Sequence, residues 1–497
     1  MLVKVKSIGL LTGKPIIILP KEIAKWLNVN VGDRLIINKY GEKKKIIAII
    51  DITKTEEKAD YVYASDEIIG YLNLKEDDII EINPAQKPLS VLYIREKLDG
   101  KRLSYDKLLE IMKSIVDNGL TEAEIAYFIS STYIRGMSKE EILSLVKAMV
   151  DVGQKIKFNY KYVLDKHCIG GIAGNRTTPI VVSIVVAAIN ELKLNAVMPK
   201  TSSRAISSAS GTADVIELLA NVEFDLEEIK KIVDKAKGCL VWGGSLGVSP
   251  ADDKIIQVER LLNLDPKSQL IASILSKKIS IGSNRLIIDI PYGKGAKIET
   301  KKDALELKNL FEYVGKKFNL KTKILLTDGS QPIGNGIGPC LELIDVLKVL
   351  KNSKDKPEDL YKKAMYLAKE LLSLVINKEK AEKVVEKVIK NGKAYEAFKR
   401  IIREQKGNIK ELTPSSIFSE IKAEKKGKII EIDNKKINFI ARILGCPADK
   451  YAGIYLIKHV NDQVDKNEIY AIVYAETKEK LDYGLKVFKE LKPIIIK

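Results

Sequence analysis

The opening part of the chain contains one segment twice. KEIAKWLNVNVGDRLIIN, Lys21–Asn38, aligns at an offset of 45 with DEIIGYLNLKEDDIIEIN, Asp66–Asn83. Glu22 matches Glu67, Ile23 matches Ile68, Leu27 and Asn28 match Leu72 and Asn73, Asp33 matches Asp78, and Asn38 matches Asn83. Each copy reads as a short helix, a turn containing Asn or Asp, and a strand of alternating apolar residues. A unit this small cannot bury its own apolar face, so the two copies must close on one another. With β-rich sequence ahead of each copy, the repeat predicts a pseudo-symmetric β-barrel, double-psi-like, over residues 1–88. The run NPAQKP, Asn83–Pro88, reads as the linker that leaves it.

The apolar period then changes. Over residues 92–160, YDKLLEIMKSIVDN, TEAEIAYFISSTYI and SKEEILSLVKAMVDVG keep apolar residues three and four apart, and Thr121 with Glu124 and Ser138 with Glu141 have capping-box spacing. A helical domain is expected here, and a second helical stretch over 252–282, DDKIIQVERLLN and SQLIASILSKKIS, is expected to return to it. Strand-like VLDKH, AVMPK, LIIDIPYG and KTKILLTDG alternate with helical TTPIVVSIVVAAINEL and SGTADVIELLA. That alternation predicts a central α/β sheet domain over 162–250 and 283–420. Short strands and a last helix, KEKLDYGLKVFKEL, predict a compact α+β unit over 421–497.

Composition narrows the function classes. No apolar run approaches the ~18 residues that span a bilayer, so a cytoplasmic protein without a membrane partner is expected. The four cysteines, Cys168, Cys239, Cys340 and Cys446, form no CxxC pair, which argues against a zinc knuckle or disulfide framework. The net charge of +18 is spread through every segment and mixed with acids, as in KAEKVVEKVIKNGKAYEAFKRII, Lys380–Ile402. It reads as solvated helix faces and not as a nucleic-acid surface, while still providing a field that gathers anions.

Two stretches carry chemistry. LDKHCIGGIAGNRTT, Leu164–Thr178, is a strand ending in Lys166, then Gly170, Gly171 and Gly174, then a helix start with Thr177 and Thr178. Such a turn lets backbone N–H groups and a lysine approach an anion, though the same pattern also makes ordinary tight turns. It is not a Walker loop, because the lysine precedes the glycines. His167 and Cys168 are neighbours on an extended segment and point to opposite faces, so they make a poor nucleophile–base pair, and zinc would find only His459 and distant cysteines besides. No metal and no cofactor are expected. The second stretch, PKTSSRAISSASGTADVIE, Pro199–Glu217, sets seven hydroxyl residues and one arginine ahead of a helix, a lining suited to phosphate or ribose oxygens.

Together, DKHCIGG and SSRAISSASGTADVIE resemble the thymidine/pyrimidine nucleoside phosphorylase family, whose signatures are a Lys-His-Ser-x-Gly-Gly loop and a Ser-x-Arg…Gly-Thr-x-Asp segment. VSPADDKII, ASILSKK (Ala272–Lys278) and the C-terminal unit are similar to the family in the same order, so the resemblance runs from about Leu92 to the end. The added barrel, KTSSRA and IPYGKGAK (Ile290–Lys297) are similar to the archaeal branch of the family that phosphorolyses nucleoside 5′-monophosphates. That branch converts AMP and phosphate to adenine and ribose 1,5-bisphosphate in nucleotide catabolism, with CMP and UMP as further expected substrates.

The resemblance implies a helical domain and a large α/β domain of nucleoside phosphorylase type with a cleft between them. It implies a nucleoside 5′-monophosphate and inorganic phosphate as partners, no nucleic acid, and assembly into homodimers or larger homo-oligomers. Phosphate contacts are implied for Lys166, Ser202 and Thr212. Nucleotide contacts are implied for Gly171, Ser203, Arg204, Ala205, Ile206, Ser207, Ser208, Thr212, Ser273 and Lys297. Asp265 matches the acid that protonates the leaving base, a task for which burial must raise its pKa. Without the resemblance, Asp265 in LDPKSQ reads as a helix start, since Asp-Pro often opens a helix.

Two departures turn against thymidine as the preferred substrate. Cys168 stands where the thymidine enzymes carry serine, and their pyrimidine-facing arginine is matched only by Arg260, with a gap. A thymidine/pyrimidine phosphorylase acting on unphosphorylated nucleosides is the alternative expectation. A third class, a transferase like anthranilate phosphoribosyltransferase, would need magnesium and a pyrophosphate-bearing sugar.

Overall fold

The computed structural model describes residues 1–54, 60–205, 208–262 and 264–497. They divide into two compact units, Met1–Gly153 with Ser249–Ser273, and Gln154–Val248 with Ile274–Lys497.

The first unit opens with β1 (Leu2–Ser7), β2 (Ile16–Pro20), α1 (Lys21–Leu27), β3 (Arg34–Lys39), β4 (Lys45–Thr53), β5 (Tyr61–Ala64), α2 (Asp66–Leu72) and β6 (Ile79–Ala85). The six strands close a barrel in the order β1-β5-β2-β4-β3-β6. The repeat offset is its symmetry operator. In the antiparallel pair β3·β6, Ile37 lies opposite Ile82, its own equivalent 45 residues on, as a two-fold axis through the pair requires. In the parallel pair β1·β5, Lys4 lies opposite Tyr61; adding 45 to one and subtracting it from the other gives Ile49 and Ile16, which are partners in β4·β2. Both copies end their helix on an asparagine in the left-handed region, Asn28 at φ 54° and Asn73 at φ 51°, a conformation asparagine tolerates better than most residues. The alternating residues Val3, Val5, Ile17, Leu19, Leu35, Ile37, Ile80 and Ile82 fill the interior.

The expected linker Asn83–Pro88 begins too early. Asn83, Pro84 and Ala85 belong to β6, opposite Ile36, Leu35 and Arg34. On its other side β6 meets β1 only through Ile79–Glu81, so Pro84 extends past that neighbour and its missing N–H costs no ladder bond.

The helical part follows as α3 (Leu89–Leu98), α4 (Tyr105–Val116), α5 (Glu122–Arg135) and α6 (Lys139–Asp151). Both capping boxes form, at Thr121–Glu124 and Ser138–Glu141. Arg34 of β3, buried, donates from Nε to the Gly119 carbonyl at 2.7 Å and pairs with Glu124, joining barrel to bundle.

The second unit begins with β7 (Tyr162–Cys168), α7 (Thr177–Glu191), β8 (Ala196–Ser202), α8 (Thr212–Ile216), α9 (Leu226–Ala236) and β9 (Gly238–Trp242). Next come α10 (Pro250–Leu262), which packs on α4 and α5, and α11 (Lys267–Ser280), whose first half also belongs to the first unit. The second unit resumes with β10 (Arg285–Tyr292), α12 (Lys301–Lys317), β11 (Lys321–Asp328), β12 (Gly336–Ile337), α13 (Pro339–Leu350), α14 (Glu358–Leu372), α15 (Lys378–Lys390) and α16 (Lys393–Glu404). It ends with β13 (Phe418–Lys422), β14 (Gly427–Ile432), α17 (Asn434–Leu444), β15 (Gly453–Leu456), β16 (Gln463–Val464), β17 (Ile469–Tyr474), α18 (Lys478–Leu491) and β18 (Ile494–Ile496).

A five-stranded parallel sheet, β11-β10-β7-β8-β9, forms its centre. Every residue of α7 from Thr177 to Ile189 is buried, so this helix is apolar all round and forms the hub of the core with α14, α15 and α16. The expected helix SGTADVIELLA is cut to Thr212–Ile216. Tertiary bonds compete for its continuation: Asn408 N–H donates to the Leu219 carbonyl at 3.0 Å, and Gln405 Nε2 donates to that of Asn221 at 2.9 Å. Two small antiparallel sheets, β12-β15-β17-β13 and β16-β14-β18, carry α17 and α18. Among the described residues no helix is long and apolar enough to cross a membrane.

Candidate active site

Strand order locates the site. The chain adds β8 and β9 on one side of β7, then returns to add β10 and β11 on the other. In an open parallel sheet the loops beyond such a reversal part and leave a crevice at the carboxyl ends of the strands. The loop that leaves β7 there is the glycine loop, and the one that leaves β10 carries Lys297. They meet at Gly171, where φ is +89° and an added Cβ would fall 2.5 Å from the Lys297 nitrogen. Only glycine fits that contact. Lys297 itself is exposed.

Lys166 is fully buried, and burial pushes its amine below the ordinary lysine value. Its Nζ donates to Thr177 Oγ1 at 2.9 Å and Thr178 Oγ1 at 3.1 Å, the two hydroxyls that open α7. The structure thus assembles Lys166 with the helix start through hydroxyls. Ser202, at the carboxyl end of the adjacent β8, has a buried Oγ with no hydrogen-bond partner among the described residues. A buried hydroxyl left unmade is costly, and a ligand at this strand end is one way to satisfy it.

The hydroxyl loop folds back on the start of α8. Asp214 accepts from Ala205 N–H at 2.7 Å and Gly211 N–H at 2.8 Å, and a Cβ on Gly211 would lie 2.5 Å from the Ser203 carbonyl. Arg204 is held by Glu217 at 2.7 Å and Glu223 at 2.9 Å and stacks over Trp242. Ser203 is exposed, and Ser208 donates to the Ser210 carbonyl at 3.0 Å. Ile206 and Ser207, expected as nucleotide contacts, lie outside the described residues. One helix clamps both loops from the C-terminal side. Asn434 and Asn438 of α17, a turn apart, accept the backbone N–H of Ala173 and of Ala209, each at 3.0 Å.

Sequence reading missed the residue that ties the loops together. Arg176 donates from Nη1 to Thr212 Oγ1 at 2.8 Å, from Nη2 to Ser210 O and Oγ at 2.9 Å, and from Nε to Glu342 Oε2 at 2.6 Å. The available signal was Glu342, an acid inside the apolar run PCLELIDVL, where a charge implies a buried partner.

Charge around the site is lopsided. Lys278 lies 2.9 Å and Lys200 4.0 Å from Asp165, so two buried lysines share one carboxylate. Burial, then Lys278, Lys200, Lys166 and Lys277, hold His167 well below the usual imidazole range, so it is neutral near pH 7. Burial, with Asp289, pushes the Cys168 thiol up, and Asn175 donates to its sulfur at 3.4 Å. A protonated thiol of this kind is a poor nucleophile.

Asp265 and Ser273 belong to the first unit. Ser273 donates to buried Asp252 at 2.8 Å. Asp265 stands two residues before α11, with Pro266 between, and is exposed. The burial expected of a proton-donating carboxyl is not supplied within that unit.

The parallel sheet, with its glycine loop beyond β7 and its hydroxyl loop beyond the adjacent β8, is matched by a family model of glycosyl-transferring α/β proteins. Residues 160–395 match "Glycosyl transferase family, a/b domain", residues 91–153 the helical bundle domain of the same family, and residues 428–494 "Pyrimidine nucleoside phosphorylase C-terminal domain". The chain belongs to the thymidine/pyrimidine nucleoside phosphorylase family. It is 39% identical to an AMP phosphorylase of Methanococcoides burtonii over 100% of this chain and 97% of that protein. It is 38% identical to an AMP phosphorylase of Pyrococcus furiosus, covering 99% and 97%. A putative thymidine phosphorylase of Legionella pneumophila is 38% identical over 91% of this chain and 87% of its own. At the level of fold, the anthranilate phosphoribosyltransferase of Thermus thermophilus aligns with a TM-score of 0.51 at 14% identity, covering 63% of this chain and 99% of that one.

Proposed function

We propose that this protein is a nucleoside 5′-monophosphate phosphorylase that converts AMP and orthophosphate to adenine and ribose 1,5-bisphosphate, and takes CMP and UMP as well. The observation that carries the reading is similarity along the whole chain, barrel included, to proteins named AMP phosphorylase. The surplus of buried lysines beside paired hydroxyl loops supports it, since a dianionic substrate and a phosphate must both be held.

In the proposed reaction an oxygen of orthophosphate attacks C1′ as the C1′–N bond breaks. The bonding pair leaves with the base, which takes a proton from Asp265. Thr212, Ser202 and the Lys166-bound hydroxyls hold the attacking phosphate, while Gly171, Ser203–Ser208, Thr212, Ser273 and Lys297 hold the nucleotide. Hydroxyls and cations around phosphate lower the barrier by orientation and charge stabilisation. Because Asp265 is exposed, the departing base must itself cover the carboxyl that protonates it. Residues 1–88, 92–160 with 252–282, 162–250 with 283–420, and 421–497 are proposed as the functional domains. A cytoplasmic homodimer or larger homo-oligomer is also proposed, and light scattering measures its size.

The Legionella relatives favour the second reading, phosphorolysis of unphosphorylated pyrimidine nucleosides. Phosphorus NMR of AMP with orthophosphate in EDTA separates the possibilities. Two ester-phosphate signals rising in step with free adenine support the proposal. Failure to release adenine, or release only with magnesium and a pyrophosphate-bearing sugar, contradicts it.

A further inference from the structure

We infer that Arg176 is a positioning residue for the phosphate site, acting through Thr212 to fix that hydroxyl as a donor to the anion; the inference rests on the phosphorolysis proposed above. A guanidinium only donates hydrogen bonds. At 2.8 Å from Arg176 Nη1, Thr212 Oγ1 must therefore accept, and its own proton is turned elsewhere as a donor. The same logic applies to Thr177 and Thr178, which accept from the Lys166 ammonium. Two donor-only cations thus aim three hydroxyl protons outward from the two loops. An anion can use nothing but donors, and a hydroxyl already accepting from a cation is a stronger one.

Arg176 is itself no free anion ligand. All three of its nitrogens are engaged, and Glu342, at 2.6 Å and 1% exposed, balances its charge. Glu342 also accepts the Gly338 N–H at 3.1 Å, so the anchor is fixed to the start of α13. The planar fork spans Glu342, Ser210 and Thr212 at once, a geometry that lysine cannot copy. Arg176 precedes α7 directly, so it also locks the exit of the glycine loop to the hydroxyl loop.

The test compares Arg176→Lys, Thr212→Val and the double variant in the full chain, reading KM for orthophosphate and for AMP separately. Each single change is expected to raise the phosphate KM about ten-fold or more; for Arg176→Lys the AMP KM is expected to move less than about two-fold, whereas Thr212→Val, which also removes a proposed nucleotide contact, raises the AMP KM too. The double variant is expected to be no worse than the worse single one, because one residue acts through the other. A phosphate KM for Arg176→Lys within about two-fold of wild type, or single effects that multiply in the double variant, overturns the inference. Should Arg176→Lys not fold, Glu342→Gln keeps the arginine but loosens its anchor. It too should raise the phosphate KM in the wild-type background and do nothing further beside Thr212→Val; an unchanged KM overturns the inference equally. Calorimetric titration with orthophosphate alone keeps the two claims apart. Wild-type protein that binds phosphate but cleaves no monophosphate defeats the functional reading, and the variants still rank by phosphate affinity. AMP turnover with variants indistinguishable from wild type defeats the inference alone.

Discussion

Lys166 has been taken out of water entirely and given two threonine hydroxyls in return. In the reaction proposed above, its task is to orient α7's first hydroxyls toward phosphate. Lys166→Ala is expected to raise the phosphate KM by about ten-fold or more and to leave AMP binding nearly intact; an unchanged phosphate dependence would make the glycine loop structural. For Asp265→Asn, kcat is expected to fall by about a hundred-fold or more with AMP still bound, the scale of a lost general acid. Near-normal turnover would remove Asp265 from the reaction. Lys166 and the glycines were legible because they are contiguous. Arg176 was not, because its anchor lies 166 residues away and nothing local in GNRTT separates a clamp from a solvated arginine.

Among the elements, α13 carries a carboxyl with a testable pH signature. Asp345 accepts the N–H groups of Asn335 and Gly336, both at 2.7 Å, and burial raises its pKa to about 7. The folded value exceeds the unfolded value of about 3.9, so the protonated form is favoured by folding. The stability this proton contributes is present at low pH and is lost as pH rises through about 7. Denaturant unfolding of wild type against Asp345→Asn should show wild type losing ground between pH 5 and pH 8, by at most about 1.4 kcal/mol per pH unit. A flat difference, or one of opposite slope, contradicts that expectation. The barrel was the most legible element, since the offset of 45 fixes both strand register and helix caps. The shortened α8 was not legible, because the bonds that end it come from Gln405 and Asn408. The clamp of Asn434 and Asn438 on the two loops was equally hidden, for the same non-local reason.

For the molecule as a whole, a charge of +18 looked in the sequence like a diffuse property of helix faces. The structure concentrates part of it where it acts, with Lys166, Lys200, Lys277 and Lys278 all pressing on His167. A nucleoside without its 5′-phosphate brings one anionic group fewer to this lysine-rich surrounding. The most direct test is therefore phosphate-dependent base release from AMP, CMP, UMP, thymidine and uridine, measured side by side with the full chain. The expected result is kcat/KM for AMP at least about a hundred-fold above that for thymidine or uridine, the scale of leaving a built polar site unpaired. Faster turnover of thymidine or uridine than of every monophosphate would contradict it.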